Sequence, residues 1–371
     1  MTCENSSFSI IDSHMHIRGW FHNLPELLDT SVKIREACNL EAVNVASISQ
    51  WDEESLGQNL VYILFKAMNP GKTYAFGSLD YYLPGSKKDK KEFYEQVKRL
   101  MAMGFDGMKM VEGKPTVRKN IGNIPLNSPE YDDYYGFLES AGVPVLFHIA
   151  DPEINWDPQM CSEETKRSGW FYGDGTFVEK ETLYKEVDSV LERFPKLRIY
   201  FAHFYFLSAD IDRAAAFLDR WPSVSFDVTP GREMYYNFSK MPDRWHDFFT
   251  KYQDRILFGT DNGWGNDLPP EQKISNAVNN VKVIRTFLET GDEFTGWGKS
   301  IKGIQLDCEA LRKIYRENFL RFAGNTPKSV NMDYVKDYCS RLLKLLAGRP
   351  DTNNAFMQIR QASKMLEELN K

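Results

Sequence analysis

The sequence is poor in cysteine and histidine, and it contains neither a long apolar run nor an excess of positive charge. Its 371 residues include five cysteines and six histidines. The odd number of cysteines, without a recurring short spacing, argues against a disulfide framework and predicts free thiols in a reducing compartment. The polar start of the chain, 1-MTCEN-5, lacks the basic and apolar segments of a signal peptide. We therefore expect a cytoplasmic protein.

The composition also disfavours nucleic acid and membrane as partners. Lysine and arginine number 46 against 52 aspartate and glutamate residues, which gives a net charge of −6. Phosphate binding needs clustered basic side chains, and the basic stretch 87–91 is typical of the solvated start of a helix. No run of about 18 apolar residues occurs, so no membrane-spanning helix is predicted. The expected partner is a small-molecule substrate.

Short apolar segments alternate with longer amphipathic segments along most of the chain. This alternation predicts parallel strands connected by helices, and eight such units over roughly 260 residues predict an α/β fold, the (β/α)8 TIM barrel. An open doubly wound sheet would place a glycine-rich turn after its first strand, where this chain has 13-SHMH-16. The predicted strands are 8–12, 42–48, 73–79, 105–110, 143–149, 197–203, 223–228 and 255–261.

Beyond residue 262 the sequence predicts helices. The first of them can close the barrel, and the others form a C-terminal helical extension packed on it. We expect the barrel to span residues 1–324 and the extension residues 325–371. Barrels of this size often associate, so a homodimer is the expected assembly. The predicted helices are 271–289, 307–322, 328–346 and 354–369.

Two predicted connections are longer than a barrel requires, residues 111–128 and 150–178. Loops of this length are usually functional or disordered, and the aromatic residues of the second loop favour an ordered lid. Both loops follow the C-terminal ends of strands, where barrel active sites lie.

Four histidines and one aspartate fall at the ends of predicted strands. His14 and His16 end the first strand, and side chains two residues apart point to the same face of a strand. His148 and His203 end the fifth and sixth strands, and Asp261 follows the eighth. In a closed barrel these ends converge on one mouth. Imidazoles and a carboxylate brought together there match the ligands of a catalytic zinc site. The alternative is that each histidine separately caps its strand and is satisfied by backbone groups.

These residues carry a resemblance to the amidohydrolase superfamily, in particular to the amidohydrolase-2 branch that includes aminocarboxymuconate semialdehyde decarboxylase and related TIM-barrel hydrolases. The segment 311-LRKIYRENFLRFAG-324 also resembles the closing helix of that family. The resemblance covers residues 8 to 324. The matching motifs are 12-DSHMH-16, 147-FHIAD-151, 201-FAHF-204 and 258-FGTD-261.

The resemblance implies a role for each of these residues. His14, His16, His148 and Asp261 would bind a divalent metal, zinc in the first instance and one ion rather than two. Asp261 would also act as a general base toward the bound water. His203 would orient or activate that water, or polarise the substrate.

Lys109 stands at the end of the fourth predicted strand, in 106-DGMKMVEG-113. Binuclear members of the superfamily carry a carboxylated lysine there, which bridges two metal ions. The alternative is an unmodified lysine that pairs with a carboxylate or contacts the substrate. Glu112 could be its partner or a further metal ligand.

Candidate substrate-binding residues follow the strand ends. Arg18 and Arg232 could hold a carboxylate through two parallel hydrogen bonds, or they could be surface arginines. Trp170 and Trp264, with Tyr172, could pack on a planar or apolar substrate, or they could anchor their loops. Asp227, in the seventh strand, is a candidate partner of the metal ligands.

Three functions are compatible with these residues. The first is a metal-dependent hydrolase of a small amide, cyclic amide or lactone, in which Asp261 takes the proton of the attacking water and His203 stabilises the oxyanion. The second is a non-oxidative decarboxylase of a small carboxylic acid, in which an arginine holds the leaving carboxylate. The third is a barrel that binds ligands without turnover, against which the complete set of histidines and aspartate argues.

Overall fold

The computed structural model describes residues 8–18, 23–82, 90–263, 268–348 and 353–369, with the side chains of Lys90, Lys91 and Arg232 excepted. Within these ranges the chain forms one eight-stranded parallel sheet in which each strand pairs with the next one in sequence. The strands are β1 Ile11–Met15, β2 Ala42–Ala46, β3 Thr73–Gly77, β4 Gly107–Gly113, β5 Val145–Ile149, β6 Ile199–Phe201, β7 Val224–Asp227 and β8 Ile256–Leu257.

Backbone hydrogen bonds close this sheet into a barrel. The amide of Ser13 donates to the carbonyl of Phe258 at 3.0 Å, and the amide of Asp261 donates to the carbonyl of His14 at 2.8 Å. Every residue of the eight strands is buried, as expected for a parallel sheet with its outer face covered by helices. The predicted (β/α)8 barrel is therefore confirmed.

Several helices around the barrel begin at a side-chain cap and bury an apolar stripe. In the helix Ile211–Arg220, for example, the Asp210 carboxylate accepts a hydrogen bond from the amide of Arg213 at 3.0 Å, and Ile211, Ala214 and Leu218 are buried. The helices are α1 Leu24–Ala37, α2 Gln58–Met68, α3 Lys90–Met103, α4 Pro115–Asn120, α5 Asp132–Ser140, α6 Glu163–Arg167, α7 Lys180–Arg193, α8 Ile211–Arg220, α9 Arg232–Phe238, α10 Pro242–Lys251, α11 Pro270–Glu289, α12 Cys308–Arg312, α13 Asn318–Ala323, α14 Met332–Leu345 and α15 Asn354–Glu368.

The C-terminal helices pack on the barrel as predicted. Helix α15 lies on α1 and α2, and α14 lies on α2 and α3. The side-chain oxygen of Gln361 accepts a hydrogen bond from the amide of Leu24 at 2.7 Å. The division of the chain at residue 324 stays a prediction. No helix within the described ranges combines the length and the apolar character that crossing a bilayer requires.

Two expectations from the sequence are wrong in detail. A β-hairpin of β9 Glu293–Gly296 and β10 Lys299–Lys302 stands where only helices were expected. Its turn residues Trp297 and Gly298 both have positive φ, 48° and 81°, as a two-residue hairpin turn requires. Cys38, Cys161 and Cys339 are free thiols, but Cys308 is disulfide-bonded. The basic stretch 87–91 lies outside the described residues, apart from the backbone of Lys90 and Lys91.

Candidate active site

A cavity of about 570 Å³ opens at the C-terminal ends of the strands. His14, His16, His148, His203 and Asp261 all line it, so the structure brings together the polar residues that the sequence placed at strand ends. The sequence could place them there because each lies at or just past the C-terminal end of an apolar strand of the same parallel sheet. Apolar side chains form much of the remaining wall, among them Ile48, Trp51, Val111, Ile154, Trp170 and Phe206.

His14, His16 and Asp261 form the tightest group in this cavity. The Nε2 atoms of the two histidines lie 3.2 Å apart. Oδ1 of Asp261 lies 3.2 Å from Nε2 of His16 and 3.7 Å from Nε2 of His14. Asp261 has a left-handed φ of 56°, which turns the chain at the end of β8 while its amide bonds to His14. Each of the three residues offers a ligand atom, and these atoms all lie within 4.8 Å of one another.

The hydrogen-bond partners of both rings assign their tautomers. Nδ1 of His16 lies 2.6 Å from the carbonyl oxygen of Ala46, which can only accept, so Nδ1 carries the hydrogen. Nδ1 of His14 lies 2.9 Å from Oδ2 of Asp227 and donates to that carboxylate. Burial lowers the pKa of both imidazoles and favours their neutral forms. Both rings therefore direct the lone pair of Nε2 into the cavity.

Lys109 reaches the same point from β4. Its Nζ lies 3.1 Å from Nε2 of His14, and its side chain is buried. Burial lowers the pKa of Lys109 to about 8, although the carboxylates of Asp227 and Asp261 oppose this shift. Glu112 lies apart from this group, because its carboxylate oxygens accept hydrogen bonds from Tyr81 at 2.9 Å and from Gln50 at 3.5 Å.

His203 and His148 lie beside each other, with ring centres 4.9 Å apart. Nδ1 of His203 lies 3.2 Å from the carbonyl oxygen of Thr229, which leaves Nε2 as its acceptor atom. Burial lowers the pKa of His203 to about 4. Nε2 of His148 lies 2.9 Å from the carbonyl oxygen of Ala150, so the lone pair of this ring is on Nδ1. Among the described residues, the group of three ligand atoms does not include His148.

An unusual backbone turn carries His203. Its φ angle and those of Phe204, Tyr205 and Phe206 are 53°, 55°, 55° and 51°. The left-handed conformation costs roughly 1–2 kcal/mol for each residue other than glycine. Phe204 packs between Phe226 and Phe238 in the layer outside the strands, with ring centres 5.0 Å from each. Such packing can offset the strain that the backbone of this turn carries.

Asp151 ties the second long loop to the barrel. Its Oδ2 accepts hydrogen bonds from Lys114 Nζ and from the hydroxyl of Tyr172, both at 2.5 Å, and its Oδ1 lies 3.3 Å from Nε2 of His148. The Lys114 ammonium also lies 4.6 Å from the ring centre of Trp170. The second loop is thus an ordered wall of the cavity. Sequence reasoning missed Lys114 and Asp151, which lie four residues after the predicted fourth strand and two residues after the predicted fifth strand.

The structure describes the side chains of three of the other predicted substrate-binding residues, Trp170, Tyr172 and Arg18. Trp170 lines the cavity, whereas Tyr172 is buried beneath it as the partner of Asp151. The guanidinium of Arg18 lies 4.9 Å from the ring centre of Trp51, a residue of the cavity wall. The side chain of Arg232 and the whole of Trp264 lie outside the described residues.

Two histidines and an aspartate converge at the C-terminal mouth of a TIM barrel, an arrangement typical of metal-dependent barrel enzymes. Residues 86–322 match the amidohydrolase-2 family model, described as Amidohydrolase. The match spans more than half of the chain, so the chain belongs to the amidohydrolase family and is an enzyme of that superfamily. The alternative of a barrel without turnover is thereby set aside. A comparison with curated proteins finds no match.

Solved structures share the fold at low sequence identity. An uncharacterised TIM-barrel protein from Bordetella bronchiseptica is 14% identical with a TM-score of 0.53, and the likeness covers 85% of this chain and 98% of that chain. The 4-oxalomesaconate hydratase from Rhodopseudomonas palustris is 12% identical with a TM-score of 0.52, over 85% and 95% of the two chains. At this level of identity, the two comparisons show that the proteins share the barrel fold.

Proposed function

We propose that the chain is a metal-dependent hydrolase of a small amide, cyclic amide or lactone. One observation carries the proposal: His14, His16 and Asp261 direct three acceptor atoms at one another across 3.2–3.7 Å. Neutral imidazoles with the hydrogen on Nδ1 cannot hydrogen-bond each other through Nε2. The convergence of these atoms in a buried cavity favours a cation at this point, a role that the Lys109 ammonium, 3.1 Å from Nε2 of His14, would share with a metal ion. The donor set of two nitrogens and one carboxylate oxygen fits zinc.

We assign His14, His16 and Asp261 as the ligands of one ion. His148 remains the proposed fourth ligand and would bind through Nδ1, because its Nε2 hydrogen is engaged by Ala150. Lys109 supplies a cation 3.1 Å from Nε2 of His14, a position that also suits the carboxylated form if a second ion binds. When bound, the ion would supply Lewis acidity, which lowers the pKa of water and polarises a carbonyl group.

The protein groups then divide the remaining work of hydrolysis. Asp261 would accept the proton of the attacking water. His203 presents Nε2 as an acceptor, because its Nδ1 hydrogen is held by Thr229, so it suits orienting that water better than donating to an oxyanion. The donor available for the oxyanion is the Lys109 ammonium, which carries three hydrogens. The apolar wall formed by Val111 and Phe206 would limit the access of bulk water.

A decarboxylase of a small carboxylic acid is the second candidate. It is favoured by Lys114, whose ammonium bonds Asp151 and also lies beside the face of Trp170 in the cavity wall, where a second carboxylate could share it. A cation next to a flat ring suits a planar carboxylate. Release of carbon dioxide from a panel of small acids, measured beside hydrolysis of amides and lactones, separates the two reactions.

Elemental analysis of the purified protein tests the metal directly. We expect close to one zinc ion per chain in wild type and a loss of most of it in His14→Ala. His246→Ala is the matched control, because this half-buried histidine hydrogen-bonds the carbonyl of Ile304 and does not line the cavity. A wild-type protein that holds well below one ion per chain and takes up none on titration would overturn the proposal.

A further inference from the structure

Asp227 ends β7 with a carboxylate that accepts three hydrogen bonds. Its Oδ2 receives the Nδ1 hydrogen of His14 at 2.9 Å. Its Oδ1 receives the backbone N–H groups of His203 at 2.8 Å and of Thr229 at 3.1 Å. The side chain is completely buried. One carboxylate therefore contacts both the ring of a proposed metal ligand and the backbone of the second functional histidine.

The amide of His203 that bonds Asp227 is the first of the left-handed turn. In this turn His203 and Phe206 both line the cavity, with ring centres 5.3 Å apart. Tyr205 faces away into the aromatic layer, where its carbonyl accepts a hydrogen bond from the hydroxyl of Tyr184 at 3.0 Å. The turn is thus held at its start by Asp227 and at its middle by Tyr184. Residues other than glycine rarely keep this backbone conformation without such support.

We infer that Asp227 is a positioning residue that fixes the ring of His14 and the turn bearing His203 relative to each other. The inference rests on the proposed function, since it concerns how the metal ligand and the water-orienting histidine are set. Carboxylates that receive the second ring hydrogen of a ligating histidine fix its tautomer and orientation. The carboxylate of Asp227 also bonds the first amide of the left-handed turn. A displacement of the His14 ring should therefore also displace His203.

The three partners of Asp227 are all N–H donors, which makes an asparagine there unsuitable. An amide offers one acceptor oxygen, and its nitrogen would face a donor on the other side. If the amide nitrogen faces His14, that ring must move its hydrogen to Nε2, which removes the lone pair directed into the cavity. If it faces His203, the first hydrogen bond of the turn is lost.

Asp12 provides the matched control. It is equally buried, and its Oδ1 accepts the backbone N–H groups of His14 at 3.0 Å and Thr260 at 3.1 Å. Its Oδ2 accepts the hydroxyl of Thr260 at 2.5 Å. A hydroxyl can turn round and accept instead, so Asp12→Asn keeps its partners. This variant replaces a buried carboxyl group of β1 that does not touch an imidazole ring.

Nitrogen NMR of histidine-labelled wild type reports the tautomers without any substitution. We expect His14 and His203 to carry their hydrogens on Nδ1 in the metal-free protein. If His14 carries its hydrogen on Nε2, the inference fails whatever the variants do. Asp227→Asn should change the signals of both histidines, whereas Asp12→Asn should leave them close to wild type. A change confined to His14 would also overturn the coupling of the two histidines.

Titration with Co²⁺ provides the second readout. We expect Asp227→Asn to weaken Co²⁺ binding by about 10–100-fold and to alter the visible spectrum of the complex, while Asp12→Asn stays near wild type. Equal losses in the two variants would reduce Asp227 to a structural residue. If the wild-type protein itself binds no Co²⁺, the proposed function fails, and the histidine signals of metal-free Asp227→Asn still decide whether Asp227 sets the two histidines.

Discussion

The Nε2 atoms of His14 and His16 lie 3.2 Å apart, although each ring donates its Nδ1 hydrogen in another direction, to Asp227 and to the carbonyl of Ala46. Two buried lone pairs at this distance repel each other, and the Lys109 ammonium, 3.1 Å from Nε2 of His14, offsets only part of this repulsion. The barrel therefore maintains a local arrangement that a cation would relieve. A metal ion that binds these atoms should therefore also raise the free energy of unfolding.

Zinc should accordingly stabilise the folded protein. At free zinc concentrations 100 times the dissociation constant, we expect the free energy of unfolding to rise by about 2.7 kcal/mol. His16→Gln should lose most of this gain, because the amide cannot reproduce the position of the imidazole nitrogen. Denaturant unfolding with zinc and with a chelator measures the difference. His246→Gln should respond to zinc like wild type, and an equal gain in His16→Gln would contradict the assignment.

The left-handed turn should depend on the packing of Tyr205 and not on its hydroxyl. The ring packs on Phe201 and Phe217 with centres 4.3 Å and 4.7 Å away, whereas the buried hydroxyl makes no hydrogen bond to any residue that the structure describes. Tyr205→Ala should lower the free energy of unfolding by roughly 3–5 kcal/mol. Tyr205→Phe should match or exceed wild type in denaturant unfolding. A large loss in the phenylalanine variant would show that the hydroxyl has a partner that the packing does not explain.

The sequence predicted the positions of the site better than its contacts. The alternation of side chains in a strand places His14 and His16 on one face, and closure of the barrel brings Asp261 to the same mouth. Both steps depend only on strand periodicity and on parallel topology. The pairing of Nε2 of His148 with Ala150 was not predictable, because it depends on which nitrogen of the ring faces a particular carbonyl.

Two further features escaped prediction for different physical reasons. The turn 203-HFYF-206 contains no glycine, so nothing local indicates a left-handed backbone, and its conformation depends on contacts with residues distant in sequence. The hairpin turn at Trp297 and Gly298 did carry a local signal, since glycine commonly supplies positive φ. That signal was outweighed by the helical pattern on both sides.

The contributions of Lys114 and Asp151 to the free energy of unfolding should depend on each other, because the ion pair that they form is buried. Removing one member of a buried pair leaves an uncompensated charge, so Lys114→Met should cost roughly 3–5 kcal/mol of unfolding free energy. The double variant with Asp151→Asn should recover part of this loss, and a double-mutant cycle measures the coupling. The exposed pair of Arg244 and Asp212, 2.7 Å apart, should show little coupling in the same experiment. Similar values for both pairs would contradict the buried role of Asp151.

Asp80 should make stability depend on pH. Burial raises the pKa of Asp80 to about 7, well above the usual range of an aspartate, and its Oδ2 has no hydrogen-bond partner among the described residues. Because the folded pKa lies above the unfolded one, the stability that this group contributes is complete below pH 4 and is lost as the pH rises to 7. Asp80→Asn should therefore resemble wild type at pH 4 and exceed it above pH 7, by at most about 4 kcal/mol. Denaturant unfolding across this range measures the difference, with the exposed Asp29→Asn as a control that leaves stability nearly unchanged. A difference that is constant with pH would show that Asp80 keeps its charge in the folded protein.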